Sequence, residues 1–315
     1  MPARHPRPSN ADPLLILAMD HRASFGRTLF SVVDDRPSDE QRTAMAAAKQ
    51  LIYAGLTRAG AQLPIGHPGV LVDERYGQSV IDAARGAGMV LAVPIERSGR
   101  DWFELEWGEQ EWLAHVRQVS PDYAKVLVRD NPSFPPQARD QQFARLRVVS
   151  ESLSDEGVPL LYELLVPASE QQLAAAGGDV ATYDRDIRPE LVTEVIADNQ
   201  QAGVEPAIWK VEGLETSAAA RAVVAQARAG GRAGVDVIVL GRDAPADRLD
   251  HWLDVAAPID GFVGFAIGRS IWEDAIRSRM ANEIDDADAA QQIATRYLDF
   301  ARRWATQARG DQPLV

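Results

Sequence analysis

Thirty of the 33 basic residues in this chain are arginine, so its three lysines, Lys49, Lys125 and Lys210, stand out by type alone. Lys210 lies in Ala207-Ile208-Trp209-Lys210-Val211, a run whose side chains would alternate between two faces of a strand. Ile208, Lys210 and Glu212 share one face, which looks either into a barrel or out toward a helix layer. Burying an ammonium is costly unless it is paired or neutralised, and the neutral amine is a nucleophile that can condense with a ketone. A strand-end lysine that reaches solvent or pairs with Glu212 is the plainer alternative. Lys125 occupies the corresponding place in Tyr123-Ala124-Lys125-Val126-Leu127. Two of three lysines inside apolar runs favour a catalytic or substrate-binding role for at least one. Lys125 would either favour the neutral form of Lys210 or bind an anionic group.

Two carboxylates fall at comparable places. Glu163 interrupts Leu161-Tyr162-Glu163-Leu164-Leu165, and Asp20 ends Leu17-Ala18-Met19-Asp20 with His21 and Arg22 next on the same loop. Each could neutralise a lysine or shuttle protons through carbinolamine formation, dehydration and carbon–carbon cleavage; an ion pair that only braces the fold is the alternative. Two Gly-Arg pairs, Gly241-Arg242 and Gly268-Arg269, follow apolar runs and precede helical segments. Glycine lets the backbone approach a phosphate, a helix start offers free N–H groups, and arginine adds a bidentate donor. These four residues and Arg22 are therefore expected to contact a substrate or its phosphate. Asp73, Glu74 and Glu96 also end apolar runs, where they would contact substrate hydroxyls or, the first reading, pair with the arginines beside them. The five histidines show no metal-ligand spacing, so neither a metal nor another cofactor is expected.

These residues need elements to hold them. Short apolar, β-branched runs alternate with segments of helical period, the pattern of βα units and a parallel sheet. The strands are expected near Leu14 to Met19, Gly69 to Val72, Met89 to Pro94, Asp122 to Val128, Pro159 to Leu165, Pro206 to Val211, Val235 to Leu240 and Gly261 to Ala266. Helices fall between them, most plainly from Ser38, where Gln41 completes a capping-box pair. A polar excursion follows the fifth strand, and a tryptophan-rich acidic insertion, Glu96 to Glu111, follows the third and would form a lid or an interface. Eight units without a linker between them predict an α/β fold, a single (β/α)8 TIM barrel over 14–307, with flexible tails at 1–13 and 308–315. A dinucleotide-binding sheet would want a glycine-rich turn where Asp20-His21-Arg22-Ala23-Ser24 stands.

Composition narrows the class. With 315 residues and 46% hydrophobic content the chain can bury a large core, and a net charge of −13 repels nucleic acid and anionic membranes. Neither is an expected partner. There is no cysteine, which removes disulfides and thiolate chemistry. The first thirteen residues lack the apolar stretch of a signal peptide, so a cytoplasmic protein is expected, acting alone or as a homo-oligomer.

Through Leu17-Ala18-Met19-Asp20-His21-Arg22, Tyr162-Glu163-Leu164-Leu165-Val166-Pro167, Ile208-Trp209-Lys210-Val211-Glu212-Gly213 and Gly264-Phe265-Ala266-Ile267-Gly268-Arg269, the chain resembles the class I aldolases of the tagatose-1,6-bisphosphate aldolase group. It is similar above all to the aldolase-like domain fused behind 5-dehydro-2-deoxygluconokinase in bacterial myo-inositol catabolism. The likeness runs from Leu15 to about Ile276. It implies a Schiff-base lysine at Lys210, a second active-site lysine at Lys125, an acid/base glutamate at Glu163, an aspartate at Asp20 and phosphate contacts from Gly268 and Arg269. His21 stands where the tagatose-bisphosphate enzymes are expected to carry glutamine. The small-molecule partner implied is a phosphorylated keto-sugar, 2-deoxy-5-keto-D-gluconate 6-phosphate by family context, with an aldolase or transaldolase acting on another hexose phosphate or a sulfosugar, or a non-catalytic sugar-phosphate-binding barrel, as the alternatives.

Overall fold

A computed structural model describes His5, residues 7–242 and residues 244–308. Eight parallel strands close on themselves in sequence order: β1 (Leu14–Ala18), β2 (His67–Leu71), β3 (Val90–Pro94), β4 (Tyr123–Arg129), β5 (Leu160–Leu165), β6 (Ile208–Glu212), β7 (Asp236–Leu240) and β8 (Phe262–Ile267). β8 pairs with β1 to complete the ring, so the chain is a single (β/α)8 barrel. Continuous apolar strands fit this closure, because each is covered on one side by the lumen and on the other by helices.

The alternation expected for strands sorts the core into two layers. Ile16, Ala18, Leu161, Ile208 and Ile238 pack together in the lumen, whereas Leu15, Leu17, Tyr162 and Trp209 belong to the layer between sheet and helices. Lys210 follows Ile208 by two residues and Glu163 follows Leu161 by two, so both point inward. The two possible orientations of Lys210 resolve in favour of the barrel interior.

The helices are α1 (Ala23–Phe30), α2 (Asp39–Gly60), α3 (Glu74–Gly86), α4 (Gly108–Val119), α5 (Pro136–Glu156), α6 (Glu170–Ala175), α7 (Val180–Thr182), α8 (Arg188–Gln201), α9 (Ser217–Ala227), α10 (Ala246–Ala256), α11 (Arg269–Met280) and α12 (Asp286–Ala308). α2 starts with the capping box read from the sequence: Ser38 accepts from the Gln41 amide while the Gln41 side chain accepts from the Ser38 amide. The polar excursion after β5 holds α6, α7 and a π-helical turn, Tyr183–Ile187. No helix among the described residues is long and apolar enough to cross a membrane.

At the opposite end from the strand C-termini, part of the segment expected as a flexible tail is tied down. Arg7 donates to Asp236 on β7 at 2.9 Å, and Asn10 accepts from the Trp304 indole of α12 at 3.0 Å. The expected C-terminal tail lies, past Ala308, outside the described residues.

Candidate active site

The carboxyl ends of the strands surround a cavity of about 300 Å³ lined by Asp20, His21, Glu96, Lys125, Glu163 and Lys210, with Gly241, Arg242, Gly268 and Arg269 on its rim. Lys125, Glu163 and Lys210 reach it from within β4, β5 and β6, and Asp20, His21 and Glu96 from the loops after β1 and β3.

Glu163 is the link between the lysines. On adjacent strands it is the register partner of Lys210, and its Oε1 lies 2.7 Å from Lys210 Nζ while its Oε2 lies 2.8 Å from Lys125 Nζ. Lys125 also donates to Asp20 Oδ2 at 2.8 Å and Glu96 Oε1 at 3.0 Å. An ammonium has three N–H donors, and here three carboxylates meet it.

The electrostatics follow from these contacts. Burial works against the charge on Lys125, but Asp20, Glu163 and Glu96 outweigh it and hold the ammonium above its usual range. Burial would raise the Asp20 and Glu163 carboxyls. Lys125 overturns this for both, with His21 and Lys210 aiding at Asp20 and Lys210 at Glu163, so both are held below the usual range. Glu96 goes the other way: burial pushes it up despite Lys125 and Arg22. The four groups thus separate into an ammonium held high, two carboxyls held low and a third, Glu96, pushed up by burial.

The remaining site residues take different places. Arg22, expected at a substrate, is buried and donates through Nη2 to the Glu96 carbonyl at 2.8 Å and to Glu96 Oε1 at 3.1 Å. It joins the loop after β1 to the loop after β3. Arg242 lines the cavity with its Nη1 on Glu212 Oε1 at 2.7 Å and Asp184 Oδ1 at 2.9 Å. Gly268 lets the turn between β8 and α11 lie against β1, where a β-carbon would come within 2.5 Å of the Ala18 carbonyl. Arg269 and Ser270 begin α11 at the rim. Among the described residues no group of three or more His, Asp or Glu side chains is arranged to hold a metal ion.

Three features escaped the sequence. Glu96 pairs with Arg22 and Lys125 rather than with the adjacent Arg97, partners 74 and 29 positions away. The acidic insertion folds back on itself, bridging Glu96 to Leu105, and it brings Arg97, Arg100 and Trp102 to the cavity wall. Lys49 of α2, the third lysine, is wholly buried beneath the β1 loop, where it donates to the carbonyls of Met19 and His21 and to the Asp73 carboxylate. The scarcity of lysine was the signal that could have found it. Asp73 also caps α3 by accepting from the Tyr76 amide, and Glu74 meets His115; neither acid lines the cavity around Lys210.

Solved structures with this fold include Cgl0159 from Corynebacterium glutamicum, 16% identical over 90% of this chain and 85% of that one, with a TM-score of 0.54. Another is the YdjI aldolase from Escherichia coli K12, 8% identical over 96% of this chain and 94% of that one, with a TM-score of 0.52. At these identities the likeness is one of fold. No curated protein sequence matches the chain. A family model matches residues 3–308, the whole barrel and almost the whole chain, and the chain belongs to that family, described as "Uncharacterized protein conserved in bacteria (DUF2090)".

Proposed function

We propose that this protein is a class I aldolase that cleaves a phosphorylated keto-sugar through a Schiff base on Lys210. The observation that carries the reading is the Lys125–Glu163–Lys210 chain, in which one carboxylate lies 2.8 and 2.7 Å from two buried amines at the mouth of a barrel. Lys125 is committed to three carboxylates and stays charged, whereas Lys210 has one, Glu163. Lys210 is therefore the nucleophile and Lys125 the counter-charge that keeps Asp20 and Glu163 ionised.

Glu163, within reach of the Lys210 nitrogen, carries protons between it and the carbonyl oxygen as the carbinolamine forms and loses water. The resulting iminium is the electron sink for the broken carbon–carbon bond. The substrate phosphate is assigned to Gly268, Arg269 and the first turn of α11, where the positive end of a helix and a guanidinium suit an anion. Arg242, already held by Asp184 and Glu212, takes the lesser part.

Among phosphorylated keto-sugars, the family resemblance selects 2-deoxy-5-keto-D-gluconate 6-phosphate, cleaved to dihydroxyacetone phosphate and malonate semialdehyde. That YdjI is described as an aldolase makes the fold compatible with the chemistry. Assay of this cleavage with wild type and Lys210→Met tests the proposal. A folded Lys210→Met protein without activity is expected, and an active one would remove the mechanism.

A further inference from the structure

Cleavage by a Schiff-base route needs two proton relays: one at the lysine nitrogen, and one at the hydroxyl of the carbon that becomes the aldehyde. Glu163 touches the lysine nitrogen and has both oxygens occupied by amines. Asp20 is bound to Lys125 and Glu96 to Lys125 and Arg22, and the remaining Glu96 oxygen is sealed from the cavity. His21, on the same wall, meets the Asp20 carboxylate only at 3.9 Å, beyond hydrogen-bonding distance.

His21 follows Asp20 on the β1 loop and lines the same cavity as Lys210 and Glu163. Its side chain keeps 24% of its surface accessible, while its Nδ1 is buried and has no hydrogen-bond partner among the described residues. Nδ1 faces Asp20 Oδ1 at 3.9 Å, too far for a hydrogen bond, though such contacts often tighten when substrate binds. A proton on Nδ1, turned toward that carboxylate, leaves the lone pair on Nε2, the nitrogen free to meet a ligand.

The ring is held on several sides. It meets the edge of Trp272 with centroids 5.7 Å apart, Gly268 lies against its Cε1, and Lys49 grips its backbone carbonyl from below. The charges facing it are Asp20 on its own loop, Arg269 of α11, Lys210 of β6 and Glu163 of β5. Burial, with Arg269 and Lys210, outweighs the two carboxylates and lowers its pKa to about 4, so the imidazole is neutral at pH 7.

We propose that His21 is a catalytic residue, the base that takes the hydroxyl proton in the bond-breaking step. This rests on the Schiff-base reading above. With the iminium formed on Lys210, Nε2 removes the proton from the hydroxyl two carbons from the iminium carbon. The O–H electron pair becomes the aldehyde π bond, the carbon–carbon pair flows into the iminium to leave an enamine, and His21 becomes an imidazolium. Return of that proton to the enamine carbon restores the iminium, whose hydrolysis releases the ketone, so no acid or base is consumed overall.

The role separates imine formation from cleavage, and the test uses that separation. Wild type, His21→Ala and His21→Asn are each reduced with borohydride in the presence of dihydroxyacetone phosphate, and cleavage of 2-deoxy-5-keto-D-gluconate 6-phosphate is assayed in parallel. The expected result is an adduct on Lys210 within threefold of wild type in both variants, with kcat for cleavage lowered by about 10²–10³-fold. Cleavage within tenfold of wild type, or an adduct lost together with cleavage in a variant that remains folded, would overturn the role. Absence of an adduct in wild type would instead strike at the Schiff-base reading itself.

Discussion

Two clusters of buried charge sit at the same end of this barrel, and they use different bases. Around the cavity, Lys125 and Lys210 meet Asp20, Glu96 and Glu163. Beside it, Asp184 of the π-helical turn accepts from Arg188 at 3.0 Å, Arg242 at 2.9 Å and Arg248 at 3.2 Å, and Glu212 meets Arg188 and Arg242. The arginine cluster ties the polar excursion after β5 to the ends of β6 and β7. A guanidinium keeps its proton, so that cluster can hold position or an anion but supplies no nucleophile; a lysine amine can give its proton up and act as one. In a chain with thirty arginines and three lysines, placing two lysines in one cluster separates chemistry from bracing. Lys49 is the instructive third case. Its compact ammonium fits two carbonyls and one carboxylate beneath the β1 loop, a post that steadies Asp20 and His21 without facing the cavity.

The comparison can be broken most sharply at Lys210. Lys210→Met should lower kcat for cleavage by more than roughly 10⁴-fold, above the range of a single proton-transfer group, because it ends the covalent path. Melting temperatures alongside the rates would show that the loss is chemical. Next comes Lys125→Met, which leaves Asp20, Glu96 and Glu163 facing one another. A loss of about 3–5 kcal/mol is expected for an unpaired buried charge, read from denaturant curves. Acidification should restore part of it, since the stranded carboxylates then bind protons more tightly when folded. Asp184→Asn makes the opposite test. It strips the arginine cluster of its central anion and should cost a similar roughly 3–5 kcal/mol, yet the folded fraction should still form a reducible adduct on Lys210.

Smaller effects sharpen the same division. Arg269→Ala should raise the KM for the phosphorylated substrate by about 10- to 100-fold, the worth of one charge-assisted hydrogen bond. An unchanged KM would move the phosphate elsewhere. The smallest effect concerns pH. His21 has its pKa lowered from 6.5 to about 4, so its contribution to stability is full above pH 6.5 and is lost as pH falls toward 4. His21→Gln, which does not titrate, should flatten the stability curve in that window, measurable by urea unfolding at stepped pH.

The barrel was legible in the sequence because parallel strands buried on both faces leave apolar runs that little else produces, and each observed strand lies within two residues of its expected ends. The same feature exposed Lys125, Glu163 and Lys210, charged residues that break such runs. What stayed illegible was partnership. Glu96 stands beside Arg97, yet the fold gives it to Arg22 and Lys125, and nothing local to residue 96 encodes a neighbour 74 positions earlier. Asp184 lies in a segment with no hydrophobic period, so neither its π-helical turn nor its three arginines could be read. His21 showed only as a companion of Asp20, because its lack of a partner is a property of the closed ring and not of the loop.

Borohydride reduction in the presence of dihydroxyacetone phosphate, followed by peptide mapping, tests the central claim most directly. With only three lysines in the chain the assignment is unambiguous. The account predicts a reduced adduct on Lys210 and none on Lys125 or Lys49. An adduct on Lys125, or none on any lysine, would contradict it.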